Sequence, residues 1–172
     1  MKSAVVYSSL TGNTKMIGEA IFEALPGEKE IFAVENAPAD TSAYDVVFVG
    51  YWVDKGTADS KAKAYLESLK NQKVALFATL GAYPDSDHAR ESLEKGGALL
   101  PEGNEVVGGF ICQGKVDPKL VEAMAKMFPI DHPHGMNPER IKRLEDASKH
   151  PNEDDCKNAA AFAKEVAAKI GA

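Results

Sequence analysis

Cysteine is scarce in this chain. Cys112 and Cys156 are the only two among 172 residues, far apart and outside CxxC spacing. They read as free thiols in a reducing cytosol rather than as a disulfide. Cys112, at the end of an apolar run, reads as a small buried hydrophobe. Positive charge is short as well: 20 Lys and Arg against 26 Asp and Glu leave a formal net charge of −6. An acidic surface argues against nucleic acid and anionic membrane as partners and favours a protein partner with a basic docking patch. Apolar runs are short, and none approaches the roughly 20 residues that span a bilayer. The N-terminus runs directly into a strand-like segment, so no signal peptide is expected, and the expected location is the cytoplasm. Internal repeats and low-complexity linkers are missing too. What is present is 44% hydrophobic content over 172 residues, enough for one domain, 1–172, with a sizeable core.

The stretch around which the rest is organised is 4–14, AVVYSSLTGNT. An apolar run, 4–7, ends in Ser8-Ser9-Leu10-Thr11-Gly12-Asn13-Thr14, and helical spacing follows at once, with Met16, Ile17, Ala20, Ile21, Ala24 and Leu25 on one face. That is strand, tight loop, helix N-terminus. The first turn of a helix leaves backbone N–H groups unpaired at the positive end of its dipole, which binds anions and above all phosphate. Ser9, Thr11, Asn13 and Thr14 can add side-chain donors, and Gly12 lets the backbone approach closely or take positive φ. A plain N-cap needs one Ser, Thr or Asn; this loop has five within seven positions. The two familiar nucleotide signatures are absent. Lys15 follows Thr14 instead of preceding a Ser or Thr as in Walker A, and there is no GxGxxG. Hydroxyls and amides without a lysine for β/γ-phosphates suit a monophosphate.

Further along, strand-length apolar runs alternate with helical patterns. Residues 31–34 read as a short strand. Residues 45–50 and 73–79 read as strands covered on both faces, and 105–112 as a fifth strand softened by Gly108-Gly109. Helices are expected over about 58–70, 86–95 and around Leu120 to Phe128. Strands alternating with helices imply right-handed βαβ units and a parallel sheet.

The loop Tyr7-Ser8-Ser9-Leu10-Thr11-Gly12-Asn13-Thr14 resembles the FMN-phosphate loop of the flavodoxins, whose pattern is roughly Ser/Thr-x-Thr-Gly-x-Thr. Ser9, Thr11, Gly12, Asn13 and Thr14 fill it. The resemblance implies a doubly wound α/β three-layer sandwich with a five-stranded parallel sheet in the order 2-1-3-4-5. It also implies FMN as cofactor, at the carboxyl ends of the strands around the switch point between the first and third. The loops after the third and fourth strands then flank the flavin. The first is Tyr51, Trp52, Val53, Asp54, Lys55, Gly56 and onward to Asp59; it holds the single Trp of the chain. The second is Thr79, Leu80, Gly81, Ala82, Tyr83, Pro84 and Asp85. In flavodoxins these loops sandwich the isoalloxazine ring, and Trp52 and Tyr83 are the stacking pair that the resemblance implies. Gly56 is the implied site of a peptide rearrangement on flavin reduction. Asp54, Asp59, Asp85 and Asp87, if near the ring, would lower its potential by like-charge repulsion, and Lys55 would oppose them.

The segment 129–151 departs from the flavodoxin pattern as an insertion before the final helix. It reads as a loop, 130–138, and a polar helix, about 139–148. Asp131, His132 and His134 have metal-ligand chemistry, but His-Pro-His reads as a structured loop, and no metal is expected. The segment would cover the sheet edge or meet a partner. The final helix is expected from Asn152, with Phe162, Ala163, Val166, Ala167 and Ile170 on one face. The run 50–59 and this tail are also similar to a smaller group, the flavodoxin-like proteins associated with bilirubin reductase in gut anaerobes. The resemblance implies a monomeric carrier of single electrons between a reductase and an oxidoreductase partner, with bilirubin reduction as one setting. Two other functions fit the same motifs: an FMN-dependent NAD(P)H:quinone or flavin reductase, and a non-redox phosphate-binding or assembly module.

Overall fold

The computed structural model describes residues 1–133 and 135–171. Five long strands, β1 (Lys2–Tyr7), β2 (Glu28–Ala33), β3 (Val46–Asp54), β5 (Lys73–Leu80) and β6 (Glu105–Gln113), pair in parallel in the order β2-β1-β3-β5-β6. A two-residue strand, β4 (Thr57–Ala58), adds antiparallel to the end of β3. With β4 set aside, this is the 2-1-3-4-5 winding expected from the resemblance. The helices are α1 (Asn13–Ala24), α2 (Ser60–Ser68), α3 (Asp87–Ala98), α4 (Pro118–Met127), α5 (Pro138–Ala147) and α6 (Glu153–Gly171).

Side-chain alternation divides the core into two layers. Ala4 and Val6 of β1, Val47, Val49 and Tyr51 of β3, and Val74, Leu76 and Ala78 of β5 point to one face, where Ala62, Tyr65 and Leu66 of α2 cover them. Val5, Phe48, Ala75 and Phe77 point to the other, against Ile17 and Ile21 of α1 and Ala159, Ala163 and Val166 of α6. Both faces of the central strands are therefore apolar, which is why they read as continuous runs rather than as alternation. Phe162 fixes α6 on this second layer. Its ring meets Phe48 edge-on at 6.0 Å and stacks on Phe110 at 5.8 Å. Burial of the fully enclosed Phe48 ring contributes about 1.5–3 kcal/mol.

Two expectations need correction. Val34 lies in a short 3-10 turn, Val34–Asn36, and β2 begins three residues earlier than its apolar core suggests. The segment after Gly50 is not a loop. β3 runs on through Tyr51 to Asp54, and Lys55 and Gly56, with φ of 52° and 80°, turn the chain into β4. Two successive residues at positive φ make the two-residue turn whose twist matches a hairpin, and a Lys-Gly pair supplies the glycine it needs. In the 129–151 segment, α5 spans Pro138–Ala147, started by the Asn137 side chain, which accepts from the Arg140 N–H at 2.8 Å. The His132 ring stacks on Phe128 at 4.5 Å. His134 lies outside the described residues. Among the described residues no three His, Cys, Asp or Glu side chains gather as metal ligands. None of the described helices is long and apolar enough to cross a membrane.

Candidate cofactor-binding site

A cleft of about 250 Å³ opens at the carboxyl end of the sheet. Its first wall is the β1–α1 loop, through Leu10, Thr11 and Asn13. Its second is the β3–β4 hairpin, through Trp52, Val53, Asp54 and Lys55. Thr79, Leu80 and Gly81 form its floor where β5 ends, and the β6–α4 connection, Gly114 to Asp117 with Leu120, closes the far side. This is the switch point between β1 and β3, where an α/β sheet of this order leaves a crevice.

The helix behind the first wall is unusual in this chain. Among the described residues α2, α3, α4, α5 and α6 each start on a side-chain acceptor: Asp59, Ser86, Asp117, Asn137 and Asn152. α1 has none. Its N-cap is Gly12 at φ 95°, with no side-chain cap bond and no acidic residue in the first turn. Ser9 Oγ accepts the Gly12 N–H at 3.1 Å, which folds the loop back on itself and leaves the following amides without a cap. A helix start of this kind, bordered by an exposed Thr11, has the donor set for an anion. A β-carbon at Gly12 would meet nothing within 4 Å. Glycine is there for its left-handed backbone rather than for space.

Most of the loop's side chains are spent on the protein itself. Ser8 Oγ donates to the Asp59 carboxylate at 2.6 Å. Thr14 Oγ1 pairs with Thr79 Oγ1 at 2.9 Å inside the core. Asn13 Nδ2 donates to the Lys115 carbonyl at 2.8 Å. The expectation that Asn13 and Thr14 point free donors at a ligand is therefore corrected: the donors left uncommitted are the α1 amides, the Thr11 hydroxyl and the hydroxyl hydrogen of Ser9, whose oxygen only accepts. Buried hydroxyls need partners, and these three contacts tie the loop to β5, to α2 and to the β6–α4 connection.

Of the eighteen residues expected at the site, ten line the cleft: Leu10, Thr11, Asn13, Trp52, Val53, Asp54, Lys55, Thr79, Leu80 and Gly81. Ser8, Ser9, Gly12 and Thr14 shape its first wall from behind. Tyr51 does neither. Successive strand residues face opposite sides, so Tyr51 points into the core beside Trp52, fully buried, and donates its hydroxyl to the Ser92 carbonyl at 3.0 Å. Burial pushes that phenol well above its ordinary pKa. Gly56 sits at the hairpin tip against His88 and Lys95 of α3, outside the lining. Tyr83 is not in the wall either. Its hydroxyl donates to Asp146 of α5 at 2.8 Å, and this carboxylate acceptor raises the Tyr83 pKa. Asp85 is exposed and outside the cleft, and Asp87 is paired with Arg90 at 3.2 Å.

The charge around the cleft also differs from expectation. Asp54 and Asp117 line it, and so do Lys55 and Lys115. The cleft is therefore balanced in sign within a chain of net charge −6. Five lining residues, Gly114, Lys115, Val116, Asp117 and Leu120, lie beyond the two loops singled out from the sequence. The signal was available, since they follow the carboxyl end of the last strand and the same edge rule applies there. They are packed closely: a β-carbon at Gly114 would stand 2.7 Å from Asn13 Nδ2, and one at Gly81 would stand 2.5 Å from Val116. The apolar surfaces of Trp52, Val53, Leu80, Val116 and Leu120 beside an uncapped helix start fit a flat ring carrying a phosphate.

The sequence matches the flavodoxin domain family over residues 4–164. A flavodoxin-like domain-containing protein, BilS, of Clostridioides difficile (strain CD3) is 38% identical over 172 residues, covering 98% of each chain. A protein of the same name from Clostridium symbiosum (strain WAL-14163) is 29% identical over 171 residues, covering 90% of each. Among solved structures, oxidised flavodoxin 2 from Bacillus cereus superposes with a TM-score of 0.56 at 18% identity, covering 98% of this chain and 99% of its own. With the family match over residues 4–164, the protein belongs to the flavodoxin domain family.

Proposed function

We propose that this protein binds FMN in the β1/β3 cleft and carries single electrons between a reductase and an oxidoreductase partner. The observation that supports this most is the start of α1. It is the one α-helix among the described residues without a side-chain cap, and its loop lines the cleft. The α1 amides and Thr11 would hold the phosphate, and the Trp52 hairpin and the Val116–Leu120 wall would border the flavin ring. Bound FMN supplies one-electron chemistry; the chain supplies binding, orientation and charge. Lys55 and Lys115 offset Asp54 and Asp117 beside the ring, so repulsion of a reduced flavin is weaker than in an all-acidic cleft. The resemblance to flavodoxin-like proteins associated with bilirubin reductase points to an oxidoreductase of that kind as the electron acceptor.

The test is to strip any flavin from purified protein, titrate it with FMN and with riboflavin, and then reduce the FMN-loaded form anaerobically. FMN bound much more tightly than riboflavin, with two resolved one-electron steps and no bleaching by NADH or NADPH alone, is the expected result. Direct bleaching by NAD(P)H would establish the reductase reading instead. A protein that stays colourless in excess FMN would leave only the non-redox reading.

A further inference from the structure

Asp59 is a carboxylate buried behind the wall of the cleft, 2% exposed. Its N–H donates to the Trp52 carbonyl at 3.2 Å. Its Oδ2 accepts from Ser8 Oγ at 2.6 Å and from the Ala62 N–H at 3.4 Å. One residue thus joins the first residue of the phosphate loop, the strand end that carries Trp52 and the start of α2. Its second oxygen, Oδ1, is buried and has no hydrogen-bond partner among the described residues. A buried carboxylate with an unmatched oxygen is costly to keep charged, and holding a proton relieves that cost. Burial pushes the Asp59 carboxyl above the ordinary range, against the opposing hydrogen bonds from Ser8 and the backbone. The charged groups on the surrounding elements do little to offset this. Lys61, in the first turn of α2, is held by Glu35 at 2.8 Å. Lys63 of α2 and Asp54 of β3 are partly or fully exposed, and His88 and Lys95 of α3 stand at the hairpin tip.

We propose that Asp59 is a proton-linked positioning residue for the phosphate loop: its carboxyl takes up one proton from solvent as the cofactor phosphate is seated. This rests on the FMN reading above. While Asp59 is ionised, the Ser8 hydroxyl is committed to it as a donor. When Oδ2 carries the proton, that proton is donated to Ser8 Oγ, and the Ser8 hydrogen is released. Seating a phosphate anion on the loop that opens at Ser8 disfavours the second buried charge, and linkage makes the effect reciprocal. The sign follows. FMN affinity falls as pH rises between the Asp59 value of the flavin-free protein and its higher value in the complex, by up to about tenfold per pH unit. The second ionisation of a phosphate monoester, near pH 6, acts in the opposite sense. A comparison with Asp59→Asn removes it, because Asn keeps an acceptor for Ser8 and Ala62 but cannot ionise.

The experiment is a set of FMN dissociation constants from pH 5 to pH 9 for the wild-type protein and Asp59→Asn, both freed of flavin. The expected result is a loss of wild-type affinity relative to the variant as pH rises. Parallel profiles overturn the inference and leave the FMN reading intact; no FMN binding by wild type at any pH overturns both. If Asp59→Asn does not fold, the ¹³C titration of the Asp59 carboxyl in wild-type protein decides. A midpoint that rises on adding FMN supports the linkage, and one that stays put overturns it.

Discussion

The two long sides of the cleft are held by different forces. The β1–α1 side is continuous with the core. Ile17 and Ile21 of α1 are fully buried, and Thr14 reaches through to Thr79 of β5. The opposite side is the α4–α5 segment, whose two helices hold one fully buried residue, Ala147. Its Leu120 and Met127 are 51% and 71% exposed. Polar ties hold it: the Lys115 N–H to the His150 carbonyl, the Tyr83 hydroxyl to Asp146, and the Arg140 guanidinium to the Met124 sulfur. A side built on buried apolar surface unfolds with the whole protein; one built on exposed polar ties opens locally at small cost. On the proposed reading, the phosphate grip is on the rigid side and the ring is reached past the loose one.

The largest effects come from breaking the rigid side. Phe77 is fully buried, with its ring lying over Gly50. Phe77→Ala should cost about 3–5 kcal/mol, read by denaturant unfolding. Leu120→Ala, on the loose side, should change stability by less than about 0.5 kcal/mol. Comparable losses at the two positions would end the distinction.

Next is the grip itself. Thr11→Val keeps the shape of the side chain and removes the one loop hydroxyl that is exposed and uncommitted. A hydrogen bond to a charged group is worth about 1.5–3 kcal/mol, so FMN affinity should drop roughly ten- to hundredfold while riboflavin affinity stays unchanged. Equal losses for the two ligands would move the phosphate elsewhere. Gly12→Ala should weaken FMN less, by about 1–2 kcal/mol, since a left-handed backbone strains any residue with a β-carbon. No collision accompanies it. Thermal unfolding of the flavin-free variant separates strain in the fold from loss of the ligand.

The same division decides what was legible in the sequence. On the rigid side, strand runs and the α1 stripe follow burial periodicity, and the loop's residue types follow helix-terminus chemistry; both are local. The sequence brings Trp52 and Lys55 to the cleft as loop residues, whereas they sit on a hairpin, because a short antiparallel hairpin leaves little periodicity and its Lys-Gly turn resembles loop composition. Tyr51 departs from its expected place for the same reason: once β3 runs on, alternation sends it to the core. Tyr83 and the Gly114–Asp117 wall depend on contacts between distant segments, and no local pattern encodes the approach of Asp146 or Asn13.

The smallest effect concerns the tie on the loose side. Tyr83 is exposed and Asp146 partly so, and their bond should scarcely move global stability. Its effect is local and depends on pH. The Tyr83 hydroxyl, and after it the Lys142 amine, hold Asp146 below its ordinary carboxylate value. A group depressed in the folded state stabilises above its unfolded value and loses that contribution as pH falls through the folded one. The tie should therefore hold at neutral pH and fail only in acid, below the ordinary aspartate range. Amide hydrogen exchange in α5 measures this. In wild-type protein α5 should become less protected on acidification than α1 does, after correction for the intrinsic exchange rate. Tyr83→Phe should bring that loss of protection up to neutral pH while leaving α1 unchanged. If α5 exchanges equally in the variant and the wild type at pH 7, α5 is held by other contacts, and access to the cleft is not governed by this one.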